Sequence, residues 1–254
     1  MGRMNEKVCI VTGAGGSIGL ASAQRLAEEG ARVMLVDNRE DNLASALATL
    51  GSASATVDAV QADVASEEDT RNYVDRTVEK WGRVDVLFAN AGISGSNGPI
   101  ADFPIDAFDA VLRVNVRGPF LACKFATPHM RDGSSIIITS SIMGVQANPN
   151  TVAYASSKHA VIGLMRSVAK ELGPRGIRCN VVAPGPIDNE FQLAIENRMS
   201  KVMNIDATEM LNQRIALRRH GQAEEIAQTV LFLASDMSSF STGAVFMADG
   251  GMAG

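Results

Sequence analysis

Cysteine is scarce in this chain of 254 residues: there are three, Cys9, Cys123 and Cys179. Three thiols cannot build a closed disulfide framework, so the fold rests on its core. Cys9 and Cys179 sit in apolar β-like runs and Cys123 in a helical stretch, the pattern of buried, reduced thiols. None has polar neighbours that would make it a nucleophilic thiolate. Histidine is as rare: His129, His159 and His220 are scattered, none at metal-ligand spacing with Cys, Asp or Glu, so no metal is expected. No apolar run approaches the eighteen or so residues that cross a bilayer. The start, Met1–Lys7, lacks an apolar signal core, and Glu6 stands where a myristoylation motif needs Ser or Thr. Positive charge is not in excess either. The net charge of −5 gives no electrostatic grip on nucleic acid or an anionic membrane. A cytoplasmic protein with no nucleic-acid or membrane partner is the expectation.

Apolar residues make up 46% and charged residues 20%, an ordinary globular composition. Short apolar, β-branched runs recur at Val8–Thr12, Ala31–Val36, Thr56–Ala62, Val84–Ala89, Ser135–Thr139, Ile177–Val182 and Ala244–Met247. They are continuous rather than alternating, as in strands buried on both faces of a parallel sheet. Amphipathic segments lie between them; Ser17–Glu29 carries Ile18, Ala21, Leu26 and Ala27 near one face. Strand and helix alternate throughout, which predicts an α/β, doubly wound Rossmann fold with helices on both faces. No linker, repeat or composition shift divides the chain, so residues 1–254 read as one domain. On such sheets ligands bind beyond the carboxyl ends of the strands.

The first strand runs into Thr12-Gly13-Ala14-Gly15-Gly16-Ser17-Ile18-Gly19 and then a helix. Glycines let the backbone approach a pyrophosphate, and the helix N-terminus offers free N–H groups. A glycine-rich turn also serves ordinary strand–helix junctions; its place after strand one favours phosphate. Strand two ends at Asp37, eighteen positions beyond Gly19. A carboxylate there accepts from an adenosine ribose diol and repels a 2′-phosphate, although Asp also caps helices. No Lys or Arg lies in Ala14–Ser17, which favours NAD over NADP; Arg39, two residues past Asp37, argues weakly the other way. Asp63, at the end of strand three, and Asn90-Ala91-Gly92, at the end of strand four, can meet the adenine edge or join neighbouring strands.

Tyr154-Ala155-Ser156-Ser157-Lys158 opens a helical run, so Tyr154 and Lys158 share a face. A tyrosine titrates near 10, too high for a base at neutral pH, and a nearby ammonium favours the phenolate. Lowering the pKa by two or three units takes about 3–4 kcal/mol, within reach of a cation at about 4–6 Å. On spacing alone, a plain Tyr–Lys helix pair is the better explanation of the motif. Two further residues add weight. Ser141, thirteen residues upstream at a strand end, can stabilise charge on a substrate oxygen. Asn115 sits inside a helical segment, where Asn is mildly unfavourable and calls for a compensating role.

Over its whole length the chain resembles the short-chain dehydrogenase/reductase family, through Thr12–Gly19, Asn90-Ala91-Gly92, Asn115, Ser141, Tyr154…Lys158 and Pro184-Gly185. The resemblance implies a seven-stranded parallel sheet in the order 3-2-1-4-5-6-7 and usually a homotetramer, with a dimer the smaller option. It implies a catalytic tetrad of Asn115, Ser141, Tyr154 and Lys158. Tyr154 would exchange the proton and Ser141 orient the substrate oxygen; Lys158 would bind ribose and lower the Tyr154 pKa, and Asn115 would hold a water linking Lys158 to solvent. NAD would contact Gly13, Ser17, Ile18, Gly19, Asp37, Asn38, Asp63, Val64, Asn90, Ala91, Gly92, Tyr154, Lys158, Pro184, Gly185 and the Ile187 backbone. Substrate would meet Ser141, Met143, Gln146 and Tyr154 under a lid at 186–215, where Met199, Met203 and Met210 offer an adaptable apolar wall or simple helix packing. Two positions depart from the family pattern: Ser17 replaces a usual Gly and Asn189 a usual Thr. Ser17 is expected to donate to the pyrophosphate. The activity implied is hydride transfer between NAD(H) and a secondary alcohol or ketone, cyclic and polyol-like ones included. The alternative is a silent NAD-binding regulator of the same fold, disfavoured by the complete tetrad.

Overall fold

A computed structural model of the chain describes residues 2–50 and 56–253, without the side chains of Val202 and Met203. Met1, Gly254 and the Met203 side chain, which figure in the readings above, lie outside the described residues. The described chain forms β1 (Val8–Thr12), α1 (Ser17–Glu28), β2 (Arg32–Asp37), α2 (Glu40–Leu50), β3 (Val57–Gln61), α3 (Glu67–Trp81) and β4 (Val84–Ala89). There follow α4 (Ile105–Leu112), α5 (Gly118–Ala126), β5 (Met130–Thr139), α6 (Val152–Leu172), β6 (Arg178–Pro184), α7 (Glu190–Met203), α8 (Ala207–Arg214), α9 (Ala223–Ala234) and β7 (Val245–Ala248).

All seven strands pair in parallel in the order β3-β2-β1-β4-β5-β6-β7. The unbroken apolar runs follow from burial on both faces. In β1, Ile10 joins the core beneath α3, α5 and α6, while Cys9 and Val11 join the core beneath α1, α2 and α9. Strand bounds match the sequence reading within one or two residues except for β5, which starts at Met130. Its first residues, Arg131–Gly133, are exposed and the pairing with β4 shifts register there, so no hydrophobic pattern marks them. The three cysteines are free and buried. Burial pushes the Cys123 thiol up to about 12 and raises the Cys9 and Cys179 thiols too, so none is a ready nucleophile.

Strand order reverses between β1 and β4. The carboxyl ends of β1 to β6 therefore open on one cleft of about 1330 Å³, closed on its far side by α7 and α8. Among the described residues no helix is long and apolar enough to cross a membrane.

Candidate active site

The phosphate loop follows from what its backbone must do. Gly13 has φ +64°, and a Cβ there would lie 2.9 Å from the Ala91 Cα, so only glycine lets β1 and β4 approach this closely. The loop exposes Gly13, Ser17 and Ile18 to the cleft; Gly19 lies beneath it against the Gly13 carbonyl. Gly16 caps α1 without a side-chain bond, leaving the first N–H groups of the helix for a ligand anion. Asp37 ends β2 almost fully buried. Its carboxylate accepts from Gly15 N at 3.0 Å and Arg39 N at 3.1 Å, and it faces the cleft beside Asn38. The Arg39 guanidinium turns to Asp41 at 2.6 Å. The loop and this carboxylate fit the pyrophosphate and ribose of a dinucleotide.

Asn90 joins three strands. Its amide donates to the Thr12 carbonyl at 3.2 Å and accepts from Thr139 Oγ1 at 3.0 Å. Thr12 Oγ1 in turn accepts from Asn90 N at 3.0 Å and Ala91 N at 3.1 Å. Asp63 and Val64 line the cleft where β3 ends, with Asp63 also bonding Ala65 N at 2.9 Å. Pro184, Gly185 and Ile187 line the nicotinamide end expected from the family, and Ile187 pairs in parallel with Gly221.

Ser141, Tyr154 and Lys158 converge on the same cleft. Ser141 caps a short 3-10 turn, its hydroxyl accepting from Met143 N at 3.2 Å. Lys158 is buried and donates to the Thr139 carbonyl at 2.9 Å, its Nζ 5.6 Å from the centre of the Tyr154 ring. Burial lowers the lysine to about 8. The expectation that Lys158 depresses the Tyr154 pKa is not met in this geometry. Burial pushes the phenol up, and the Ser141 hydroxyl draws it back down. With its ammonium turned to Thr139, the lysine is not the dominant influence on the phenol.

Asn115 lies in a π-helical turn, Arg113–Arg117, between α4 and α5. Its side chain is engaged three ways: Oδ1 accepts from Ile93 N at 2.8 Å, and Nδ2 donates to the Ile93 carbonyl at 2.9 Å and to Ser157 Oγ at 3.0 Å. That engagement is the compensation a mid-helix Asn calls for. A Cβ on Gly92 would sit 3.2 Å from Asn115 Oδ1 and 3.5 Å from Lys158 Nζ, which places Gly92 between the two.

Met143 lines the cleft; Gln146 is exposed and lies outside its walls, where Asn148 to Thr151 stand instead. The two departures from the family pattern meet. Asn189, the N-cap of α7, donates to Ser17 Oγ at 3.0 Å while its Oδ1 accepts from Gln192 N at 2.8 Å. The sequence reading missed Ser157, whose hydroxyl links Asn115 to the Tyr154 carbonyl (2.7 Å); its spacing from Tyr154, three residues along one helix, was the available signal. It also missed Glu196, buried between α7 and α8. Burial raises that carboxyl, but bonds from Thr208, Gln192 and His220 hold it below its usual value. Among the described residues there is no group of acids, Cys and His able to hold a metal.

The profile of the family described as Enoyl-(Acyl carrier protein) reductase matches residues 13–253. The 3-oxoacyl-[acyl-carrier-protein] reductase of Thermotoga maritima is 39% identical, over 98% of this chain and 99% of its own. Levodione reductase of Leifsonia aquatica is 39% identical, over 98% and 95%. A crystal structure of levodione reductase superposes with a TM-score of 0.92 at 37% identity, over 98% of each chain. Two further neighbours differ in cofactor: an NAD+-bound xylitol dehydrogenase (TM-score 0.89, 36% identity, 96% and 98% covered) and a blue fluorescent protein in complex with NADPH (0.90, 34%, 99% and 100%). With the sheet and its cleft already described, these matches define the class: the chain belongs to the short-chain dehydrogenase/reductase family. The relatives named above are oxidoreductases.

Proposed function

We propose that the protein transfers a hydride between NAD(H) and a secondary alcohol or ketone, with Tyr154 as the acid–base. The observation that carries this reading is the meeting of Ser141, Tyr154 and Lys158 on one wall of a cleft whose other end is a glycine loop and a buried Asp37. Bound nicotinamide would supply or accept the hydride; the proton falls to the protein. In the reductive direction the Tyr154 phenol donates to the substrate oxygen while Ser141 orients that oxygen. A phenol kept protonated by burial suits that donation. Lys158 reaches the ribose side, and Asn115 fixes the loop at Ile93 that borders it.

NAD is the proposed cofactor because Asp37 faces the cleft at the ribose end, the loop carries no cation, and Arg39 is paired with Asp41. The lid is α7 and α8, within residues 186–215. Exposed Ile105 on α4 and Phe120 on α5 offer apolar surface for a homotetramer or a dimer, and the buried, free thiols suit the cytoplasm. Parallel assays with NAD and NADP over an alcohol and ketone panel, read at the nicotinamide absorbance, test cofactor and reaction together. Turnover with NADP alone would overturn the cofactor assignment; NAD binding without any turnover would overturn the reaction and favour a regulator.

A further inference from the structure

The cleft is electrically two-ended. Its two acidic lining residues, Asp37 and Asp63, both stand at the ends of β2 and β3, the adenosine side. Beyond the reacting centre the lid presents Arg198 and Lys201 from α7 and Arg214 from α8, and no described acid lines that end. None of the three cations has a carboxylate within salt-bridge distance among the described residues. The acids of these helices lie elsewhere, and Glu190, at the opposite end of α7, is close enough to Arg39 to act on it. Glu196 is buried against His220 and Thr208, Asp206 caps α8, and Glu209 accepts from Gln213 at 3.1 Å. Arg198 reaches across the cleft to Ser94 Oγ at 3.3 Å, a neutral acceptor that an anionic ligand oxygen would outcompete. The apolar side chains of Met143, Ile195, Met199 and Met210 line the same cleft as these cations and Tyr154, with Gln192 among them.

We propose that this rim is an anion site: the substrate is a carbonyl or alcohol compound with an apolar middle and an anionic end, held by Arg198, Lys201 and Arg214. The inference rests on the reaction proposed above. Three like charges in a cleft with apolar walls focus their field on an incoming anion, and the unbranched methionines adapt to the segment between. Carboxylate, sulfonate and phosphate ends share this chemistry, and planar guanidinium groups can grip each of them bidentately.

The test compares ketones of one chain length that end in a methyl ester, a carboxylate, a sulfonate or a phosphate. With NADH, kcat/KM is expected to favour an anionic end over the ester by about tenfold, and to lose that preference as salt is raised. The preference should shrink through KM in Arg198→Ala, Lys201→Ala and Arg214→Ala, and invert in Arg214→Glu; Lys170→Ala, far along α6, should keep it. The ranking of the three anions identifies the natural end group. Equal kcat/KM for the ester and every anion in the wild type would overturn the anion site while leaving the reaction intact. If no ketone of either charge turns over, the reaction itself fails. The rim is then judged by binding: alkyl phosphonates should raise the melting temperature of the NADH complex in the wild type but not in the triple alanine variant. The absence of that shift would end the proposal.

Discussion

The two sides of the cleft are built differently. On the α6 side, Asn115, Ser140, Ser157 and Lys158 are buried, and each is bonded to backbone: Asn115 to Ile93 beyond β4, Ser140 and Ser157 to carbonyls of α6, and Lys158 to Thr139 at the end of β5. On the lid side, α7 and α8 bond each other through buried Glu196, but among the described residues their side chains reach the opposite wall through two exposed hydrogen bonds: Asn189 to Ser17 and Arg198 to Ser94. Proton transfer needs geometry held to fractions of an ångström, which packed backbone supplies. Substrate selection and product release need a wall that can part, which a few exposed hydrogen bonds permit.

Five substitutions bear on that contrast. The largest effect is expected at the rigid wall: Tyr154→Phe should lower kcat by about 10²–10⁴-fold, with a much smaller change in NADH affinity. Full turnover in that variant would remove the acid–base from this wall. Lys158 gives a pH signature of nearly the same energy. Burial lowers its folded-state pKa from 10.5 to about 8, so between those values the unfolded chain keeps a proton that the folded one has shed. Stability relative to Lys158→Met should therefore rise with pH from about 8 to 10.5, by about 3 kcal/mol, and then level off. Denaturant titrations of both proteins across that range would show it; parallel curves would mean the lysine is not desolvated.

At the adenosine end, Asp37→Ala should weaken NADH about 10- to 100-fold. Since Asp37 also holds Gly15 N, NADPH serves as the control. Equal losses for both cofactors would make Asp37 a loop anchor rather than a ribose selector. The smallest effect belongs to the lid. Ser17→Ala and Asn189→Ala should each speed NADH release by about two- to fivefold, and the double variant should do no more than either alone. Additive losses would separate the lid from the phosphate loop.

Much of the rigid side was legible in the sequence, because its signals are local. Glycines before a helix, a Tyr and a Lys four apart, and unbroken apolar runs report backbone geometry directly. What escaped were pairings between distant segments: Asn115 with Ile93, Glu196 with His220, and Ser17 with Asn189 across 172 positions. Gln146 was misplaced for a related reason. Past Ser141 the chain turns through a 3-10 segment, and no periodicity says which residue then faces inward. The direction of the Tyr154 shift was misread because spacing reveals a neighbouring charge but not how far burial outweighs it.

The π-helical turn at Arg113–Arg117 makes the site sensitive to the length of one segment, whatever its composition. Such a turn holds one residue more than an α-helix would need for the same bonding step. Deleting Val114 would let the backbone close into regular α-helix with the flanking turns still in register, and the residues of the turn itself would change the face they present. Asn115 would swing off Ile93 and Ser157 although every reacting residue was still encoded. A single-codon deletion there is thus expected to silence the enzyme while conservative substitutions at Val114 and Val116 are tolerated. That makes this turn a place where alignments of relatives should forbid gaps more strictly than they forbid changes.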